Sequence, residues 1–281
     1  MNLRPVTPAL VAILTTVPAL ADAHAWEVSE IFSNADGSVQ FVEWFNDEDD
    51  EHFMHNETVS TSSGGFFAFP RPLPHPVTAG RNFLMATAAF AAIPGAPTPD
   101  YIMPDGFLDP AGDTIDYSGG DVVSFGALPL DGKSSVTRNG AVLTNAPRNF
   151  ANVSSSVRLA VSGARNGSGV NRNCYSATAP VLGATWNGTI TAAGPTANIV
   201  AILGYETASS GLVLAGGELL VSVGSPQIFL LIAFSNTTSD VLSQTVPNDT
   251  ALLEFSLSTQ AVILGGGALE FCNAVDLILG H

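Results

Sequence analysis

The chain has 281 residues, of which 46% are hydrophobic and 12% are charged, with 27 glycines and 18 prolines. This composition favours a packed, loop-rich β protein over a disordered chain. The formal net charge of −16 repels phosphate groups, so nucleic acids and anionic membrane surfaces are disfavoured as partners.

The N-terminal segment is typical of a secretory signal peptide. A basic start is followed by an apolar stretch at 9–20 and then by small residues up to Ala23. The stretch is short for crossing a bilayer, which disfavours the alternative of an N-terminal anchor. Residues 1–23 are therefore predicted to be removed, leaving His24 first, although cleavage after Ala25 also fits. No further segment has the pattern of a transmembrane span, and we expect the protein to be secreted or held at the cell surface.

The first half of the mature chain has the pattern of short strands. Alternating residues predict strands at 26–32 and 39–45, joined by a turn at Asp36-Gly37. Residues 82–92, rich in Phe and Ala, have moderate helical character. Further strands are expected at 66–69, 101–103, 121–125, 134–138 and 142–143.

The second half has the same character. Residues 153–179 are rich in Ser, Asn, Gly and Arg and place a domain boundary near 158–175, giving predicted domains at 24–158 and 159–281. Regularly spaced strands without a helical period predict an all-β chain of two β-sandwich domains. The expected strands of the second domain are 199–203, 219–223, 228–234, 257–264, 268–272 and 275–279.

The first half resembles lamin-tail-like domains. Residues 26–34 match their opening I-x-E strand, and residues 40–46 match the F-I-E-L-x-N strand that follows. Segments 83–87 and 112–115 also fit. The resemblance covers residues 24–155 and implies an immunoglobulin-like sandwich.

The second half is similar to a small β-sandwich module at the C-terminus of many exported bacterial proteins. The similarity lies in residues 216–221, 246–249, 258–261 and 272–274. Lamin-tail-like domains occur on exported hydrolases and nucleases as accessory modules, and also as stand-alone surface proteins. The two resemblances together imply a binding or structural role and no chemistry.

Two cysteines, Cys174 and Cys272, are present. In an exported protein such a pair predicts one disulfide, closing a loop of nearly a hundred residues. The alternative is two free thiols, which an oxidising compartment disfavours.

Histidines provide one candidate metal site. His52 and His55 lie near Glu51 in the sequence. These two histidines and His24 could together hold zinc or copper, with His75 as a further ligand. If His24 begins the mature chain, its amine and ring resemble the copper brace of lytic polysaccharide monooxygenases. In an extended segment His52 and His55 point to opposite faces, so a solvated acidic loop is the alternative.

Aspartates provide a second candidate, a calcium site in a Gly/Pro-rich loop. Calcium takes clustered oxygen ligands, but the spacing differs from that of an EF-hand. The alternative is that these aspartates are turn residues. The candidate ligands are Asp105, Asp109 and Asp113, with Asp116 and Asp121 nearby.

No catalytic residue is predicted, because G-x-S-x-G, H-E-x-x-H, a P-loop and G-x-G-x-x-G are missing from the sequence. We expect a non-catalytic exported protein that binds a surface polymer or protein partner or has a structural role. A zinc or copper enzyme is one alternative. A carbohydrate-binding module using Trp44 or Trp186 is another, unless these belong to the core. Exposed edge strands also suggest self-assembly.

Overall fold

The computed structural model describes residues 24–55, 57–192, 198–235 and 237–281. The predicted signal peptide, residues 1–23, lies outside these ranges. Across the described residues the chain is all-β, as predicted, with twenty strands and one four-residue α-helix. No helix within these ranges is both long and apolar enough to cross a membrane.

The first half forms two sheets. A six-stranded sheet has the order β10-β9-β1-β2-β5-β6, and a four-stranded sheet has the order β4-β3-β7-β8. The elements are β1 (Glu27–Ser33), β2 (Gln40–Asn46), β3 (Thr58–Thr61), β4 (Phe66–Ala68), β5 (Arg81–Thr87), α1 (Ala88–Ala91), β6 (Tyr101–Met103), β7 (Asp113–Tyr117), β8 (Asp121–Phe125), β9 (Ser134–Thr137) and β10 (Val142–Thr144).

An aromatic core joins these two sheets. The indole of Trp44 on β2 stacks on Phe83 of β5, with ring centroids 5.7 Å apart. It also meets the ring of Tyr117, on β7 of the opposite sheet, edge-on at 5.3 Å. All three side chains are buried. Two sheets that share one apolar layer make a β-sandwich, compatible with an immunoglobulin-like fold.

The six-stranded sheet is covered on its other face as well. Phe32, Phe41 and Leu84 point away from the first core and form a second cluster with Phe90 of α1 and Leu159. Strands buried on both faces lose the simple alternation of polar and apolar residues. This explains why β1, β2 and β5 are buried along most of their length.

The second half forms another sandwich. A five-stranded sheet (β11-β20-β19-β14-β17) faces a three-stranded sheet (β12-β13-β18), and β15 and β16 form a separate hairpin. The strands are β11 (Val161–Arg165), β12 (Tyr175–Ala177), β13 (Thr185–Thr191), β14 (Asn198–Tyr205), β15 (Ala208–Leu214), β16 (Gly217–Val221), β17 (Gln227–Ser235), β18 (Ser239–Thr245), β19 (Ser256–Gly265) and β20 (Ala268–Ile278), with a 3₁₀ turn at Thr250–Leu252.

The core of this second sandwich contains the cystine. Trp186, Val200 and Ile202 are buried between the sheets together with Cys174 and Cys272. The two sulfur atoms are 1.95 Å apart, so the predicted pair forms a disulfide, and the residues are separated by 98 positions. The bond ties the segment before β12 to β20.

The apolar clusters of the two halves do not mix. Two of them draw on residues 26–159 and the other two on residues 174–279. Between the halves, Glu254 forms ion pairs with Lys133 and with Arg158. Its Oε1 atom is 3.2 Å from Lys133 Nζ and 3.2 Å from Arg158 Nε. The division at 158/159 stays a prediction, and Leu159, just after it, packs with the clusters of the first half.

Several predicted elements differ from the observed ones. The segment 82–92, expected to be helical, is helical only in α1. The residues before α1 belong to β5, because pairing of β5 with β2 and with β6 outweighs their helical preference. The apolar runs at 268–272 and 275–279 form one strand, β20. The stretch 153–179, rich in serine and glycine, was predicted to hold a domain boundary. It contains the strand β11, which pairs with β20 along five residues. The strands β3, β7, β12, β13, β15 and β18 were not anticipated.

Candidate functional site

The predicted histidine group is arranged differently from the expectation. His24 lies with Glu48 and Glu51, and these three side chains are the only set of three or more potential metal ligands within 4.8 Å of one another among the described residues. His24 Nδ1 is 3.4 Å from Glu51 Oε1, and the backbone N–H of His24 donates to Glu51 Oε2 at 2.6 Å. Glu51 is buried, whereas His24 and Glu48 are exposed.

The other histidines lie outside this set. The ring of His52 packs on Phe53, with centroids 3.9 Å apart, and its buried Nδ1 has no hydrogen-bond partner among the residues that the structure describes. His55 is exposed in a turn. His75 Nδ1 accepts a hydrogen bond from the backbone N–H of Val77 at 3.0 Å. Glu48, which sequence reasoning missed, is adjacent to the candidate site only because the loop after β2 turns back towards His24.

The predicted calcium loop is partly strand. Asp113 and Asp116 belong to β7, and Asp121 begins β8, so the expectation of a continuous loop is wrong. Asp105 is exposed, and the Asp109 carboxylate accepts from the backbone N–H of Ala111 at 2.9 Å, as a turn residue does.

Asp113 already has protein donors around its carboxylate. Its oxygens accept from the hydroxyl groups of Ser62 and Ser63, both at 2.6 Å, and from the backbone N–H groups of Ser63, Asp109 and Thr114. Burial by itself would raise the pKa of Asp113. The hydrogen bonds outweigh this effect and lower the pKa to about 2. The same lone pairs that a cation would use are therefore engaged within the protein.

The two tryptophans considered for sugar stacking are core residues. Trp44 is 0% exposed and Trp186 is 3% exposed. A tryptophan stacks on a sugar only where its ring face reaches solvent. The carbohydrate-binding alternative therefore loses the residues on which it depended.

The most exposed apolar surface lies on the second sandwich, along β17. Leu230, Ile232 and Phe234 point outwards and are exposed by 45%, 59% and 88%. Phe229 and Leu231 alternate with them and pack towards the core. A strand whose two faces are both apolar shows no alternation in sequence, so the run 228–234 predicted the strand but not the exposure of one face.

The pairing register extends this apolar surface across the sheet. Directly paired residues lie on the same face of a sheet. Phe234 is paired with Ile199 on β14, Ile199 with Leu264 on β19, and Leu264 with Leu269 on β20. We call the outward side chains of Ile199, Leu230, Ile232, Phe234, Leu264 and Leu269 the β17 face.

The neighbouring hairpin leaves this face uncovered. Leu219 and Val221 of the β15–β16 hairpin pack on Phe271, Leu203 and Val262, next to the β17 face. Phe234, Ile232 and Leu264 remain outside that contact and open to solvent.

The edge of β17 is also open. Within the described ranges β17 pairs only with β14, so the hydrogen-bonding groups on its other side have no strand partner. The strand has nine residues and contains neither proline nor a charged residue. Natural edge strands normally carry such residues, because they prevent pairing with another chain.

Comparison with known proteins assigns no function to these features. A scan against protein-family models finds no match, and a search of the curated proteins also finds none. The functional inference therefore depends on the geometry of the chain itself.

Proposed function

We propose that the chain is an exported, non-catalytic structural protein whose copies associate through β17 and the β17 face. The observation that carries this proposal is the open, uncharged edge strand with an apolar outer surface. Pairing of β17 with the same strand of a second copy would satisfy its free N–H and C=O groups. Stacking of the β17 face on that of another copy would remove its apolar side chains from water.

The size of the β17 face agrees with an interface between two copies. With a full phenylalanine side chain presenting about 200 Å², the exposed side chains of this face together present on the order of 500 Å². Two copies that stack through this face would bury on the order of 1,000 Å², near the lower limit for a specific protein interface. Pairing of the β17 edges is a second contact, which extends the sheet sideways and supplies backbone hydrogen bonds.

The distribution of charge also supports association at this place. The chain has a net charge of −16, so two copies repel each other over most of their surfaces. No charged residue lies in β14, β17 or β19. The β17 face is therefore a region where two copies approach without opposing like charges.

The finer features of the proposal come from sequence patterns. The first half is proposed to be a lamin-tail-like sandwich and the second the C-terminal module of exported bacterial proteins. The N-terminal pattern and the buried disulfide support a secreted or cell-surface location. Mass measurement of the exported protein tests this part, since it is expected to begin at His24 or Trp26.

Sedimentation velocity over a range of protein concentrations tests the association. The unaltered chain is expected to show a concentration-dependent shift to dimers or larger species. Ile232→Lys places a charge in the β17 face and is expected to weaken association at least tenfold, because a buried aliphatic side chain contributes about 1.5–3 kcal/mol. The matched control is Val241→Lys on β18, since Val241 is 60% exposed but lies in the opposite sheet.

Circular dichroism and thermal unfolding of both variants check that the fold is retained. A monomer at all concentrations, or equal association of the two lysine variants, would overturn the proposal.

A metal-dependent enzyme is the second candidate, and the set of His24, Glu48 and Glu51 favours it. Imidazole and carboxylate groups suit zinc, and an imidazole ligand suits copper. Calorimetric titration with each metal tests this candidate. It requires stoichiometric binding that is lost in His24→Ala and retained in His55→Ala, because His55 is an exposed histidine outside the set. Weak binding that both variants share would end it.

A further inference from the structure

A buried carboxylate lies against the backbone just before β1. The backbone nitrogen of His24 is 2.6 Å from Glu51 Oε2, and the N–H of Ala25 donates to the same oxygen at 3.2 Å. The side chain of Glu51 is only 5% exposed. Water therefore screens these contacts weakly, and a charge placed at the His24 nitrogen would interact more strongly with Glu51 than it would at the open surface.

The backbone of Glu51 is held in place on both sides. Its N–H donates to Thr78 Oγ1 at 3.1 Å, and the hydroxyl of Thr78 donates to the carbonyl of Glu48 at 2.6 Å. The carbonyl of Glu51 accepts a hydrogen bond from Trp26 Nε1 at 2.7 Å. The indole of Trp26 is fully buried in the aromatic core. The carboxylate is thus preorganised beside His24, which lowers the free-energy cost of binding a group there.

The negative charge of Glu51 has little compensation from side chains. Within the described ranges neither Lys nor Arg forms an ion pair with it. The imidazole of His24, 3.4 Å away, is 62% exposed and is charged only when protonated. Residues 47–50, all acidic, add further negative charge. A buried carboxylate is costly unless a cation compensates it, so this position favours an additional positive group.

We infer that Glu51 is the binding site for the α-ammonium group of His24 once residues 1–23 have been removed. The inference rests on the proposed export of the chain, in which a signal peptidase hydrolyses the peptide bond between Ala23 and His24. Water adds across the broken C–N bond, leaving a carboxylate on Ala23 and an ammonium group on His24. The nitrogen that already contacts Glu51 becomes a charged donor, and charge-assisted hydrogen bonds are roughly twice as strong as neutral ones.

The same contacts distinguish the two cleavage sites that the sequence allows. Cleavage after Ala23 keeps both nitrogen donors to the Glu51 carboxylate. Cleavage after Ala25 removes both of them, although the indole of Trp26 would still donate to the Glu51 carbonyl. A buried carboxylate that loses its donors destabilises the fold. The mature chain that the structure favours therefore begins at His24.

Urea unfolding of four chains with defined N-termini tests the ion pair. Two chains begin at His24 and two begin one residue earlier, at Ala23, which keeps the net charge but makes the His24 nitrogen an amide. Each pair contains Glu51 in one chain and Glu51→Gln in the other. We expect the extra residue to lower the folded-to-unfolded ratio about tenfold when Glu51 is present and to have no effect in Glu51→Gln.

The conditions and a matched variant isolate this contact. At about pH 6 an α-amino group is charged, and EDTA in every sample removes any contribution from a bound metal ion. Asp47→Asn removes one exposed negative charge from the same acidic run and is expected to retain the tenfold effect. The contact lies in the first sandwich, so the result does not depend on association through β17.

Trimming by an aminopeptidase, followed by mass spectrometry, gives a second readout. The chain that begins at Ala23 is expected to lose that residue and to stop at His24, because further trimming requires the new N-terminus to leave Glu51. In Glu51→Gln, removal of His24 and Ala25 is expected to be about tenfold faster. Asp47→Asn is expected to stop at His24 like the unaltered chain.

Three results would overturn the inference. One is an equal effect of the extra residue on unfolding in chains with Glu51 and with Glu51→Gln, and another is an equal rate of trimming in these chains. The third is an exported protein whose mass shows that it begins at Trp26. The first two concern the ion pair and use chains of defined N-terminus, whereas the mass concerns export and cleavage, so the two kinds of failure are distinguishable.

Discussion

Glu30 and Glu43 are direct cross-strand partners on β1 and β2, and both carboxyl groups are buried. They lie on the face of the six-stranded sheet that points away from the aromatic core. Each accepts hydrogen bonds that hold the segment after β10 against the sheet. The donors are Ser135 and Ala146 for Glu30, and Ser29, Asn82 and Arg148 for Glu43.

This pair predicts that stability falls as the pH rises from about 4.5 to about 7. Burial raises the pKa of Glu43 to about 7, and the neighbouring Glu30 contributes. The folded protein therefore binds more protons than the unfolded chain in this window, and the stabilisation present below it is lost as the pH rises. The shift corresponds to about 3 kcal/mol. Urea unfolding at pH 5 and pH 8 measures it.

Glu43→Gln is expected to flatten this pH dependence, because the titrating group is removed. Glu27→Gln is the control, since Glu27 is an exposed acidic residue on the neighbouring strand β1. A protein that is equally stable at pH 5 and pH 8, or a Glu27 variant that behaves like the Glu43 variant, would contradict this account.

Asp113 predicts the opposite dependence at acidic pH. Its folded-state pKa of about 2 lies below the ordinary value of 3.8. Its stabilisation is therefore fully present above pH 4 and is lost as the pH falls towards 2, with a size of about 2 kcal/mol. Asp113→Ala removes the hydrogen bonds to Ser62 and Ser63 and is expected to reduce stability at pH 6 by at least this amount. Asp105→Ala, at an exposed position, is expected to have little effect, and an equal loss in both variants would refute the prediction.

The disulfide predicts a large difference between the oxidised and reduced protein. Closing a loop of 98 residues restricts the unfolded chain and contributes about 2–5 kcal/mol. The double variant Cys174→Ser/Cys272→Ser is expected to unfold at a clearly lower temperature than the oxidised chain. Adding a reductant is expected to lower the unfolding temperature of the unaltered chain and leave that of the variant in place. Insensitivity of the unaltered chain to the reductant would show that the bond does not contribute.

Sequence patterns predicted the fold class well because turn residues and apolar runs are local signals. The strands at 26–32 and 39–45 are confirmed as β1 and β2. The helical character predicted for 82–92 holds only for α1, because the strand β5 before it depends on pairing with β2 and β6, which lie elsewhere in the chain. Strand β13 was missed because Thr, Asn and Gly interrupt its apolar residues, and seven residues of pairing with β18 stabilise it.

The candidate sites were harder to predict because each depends on contacts between distant residues. The grouping of His24 with Glu51 depends on the path of the loop after β2. For β17, the uncharged run from Gln227 to Ser235 did signal a strand. Only the order of strands in the sheet shows that this strand lies at an edge.

Association through β17 is finally predicted to strengthen with salt. The β17 face contains no charge, so screening does not weaken its contact, while the repulsion between two copies of a chain with net charge −16 is reduced. Raising sodium chloride from about 0.05 M to about 0.5 M shortens the screening distance about threefold, and the dimer is expected to form at lower protein concentration. Sedimentation at both salt concentrations measures this, with Val241→Lys behaving like the unaltered chain and Ile232→Lys staying monomeric. Association that weakens with salt would instead assign the contact to ion pairs and would remove the β17 face from the proposal.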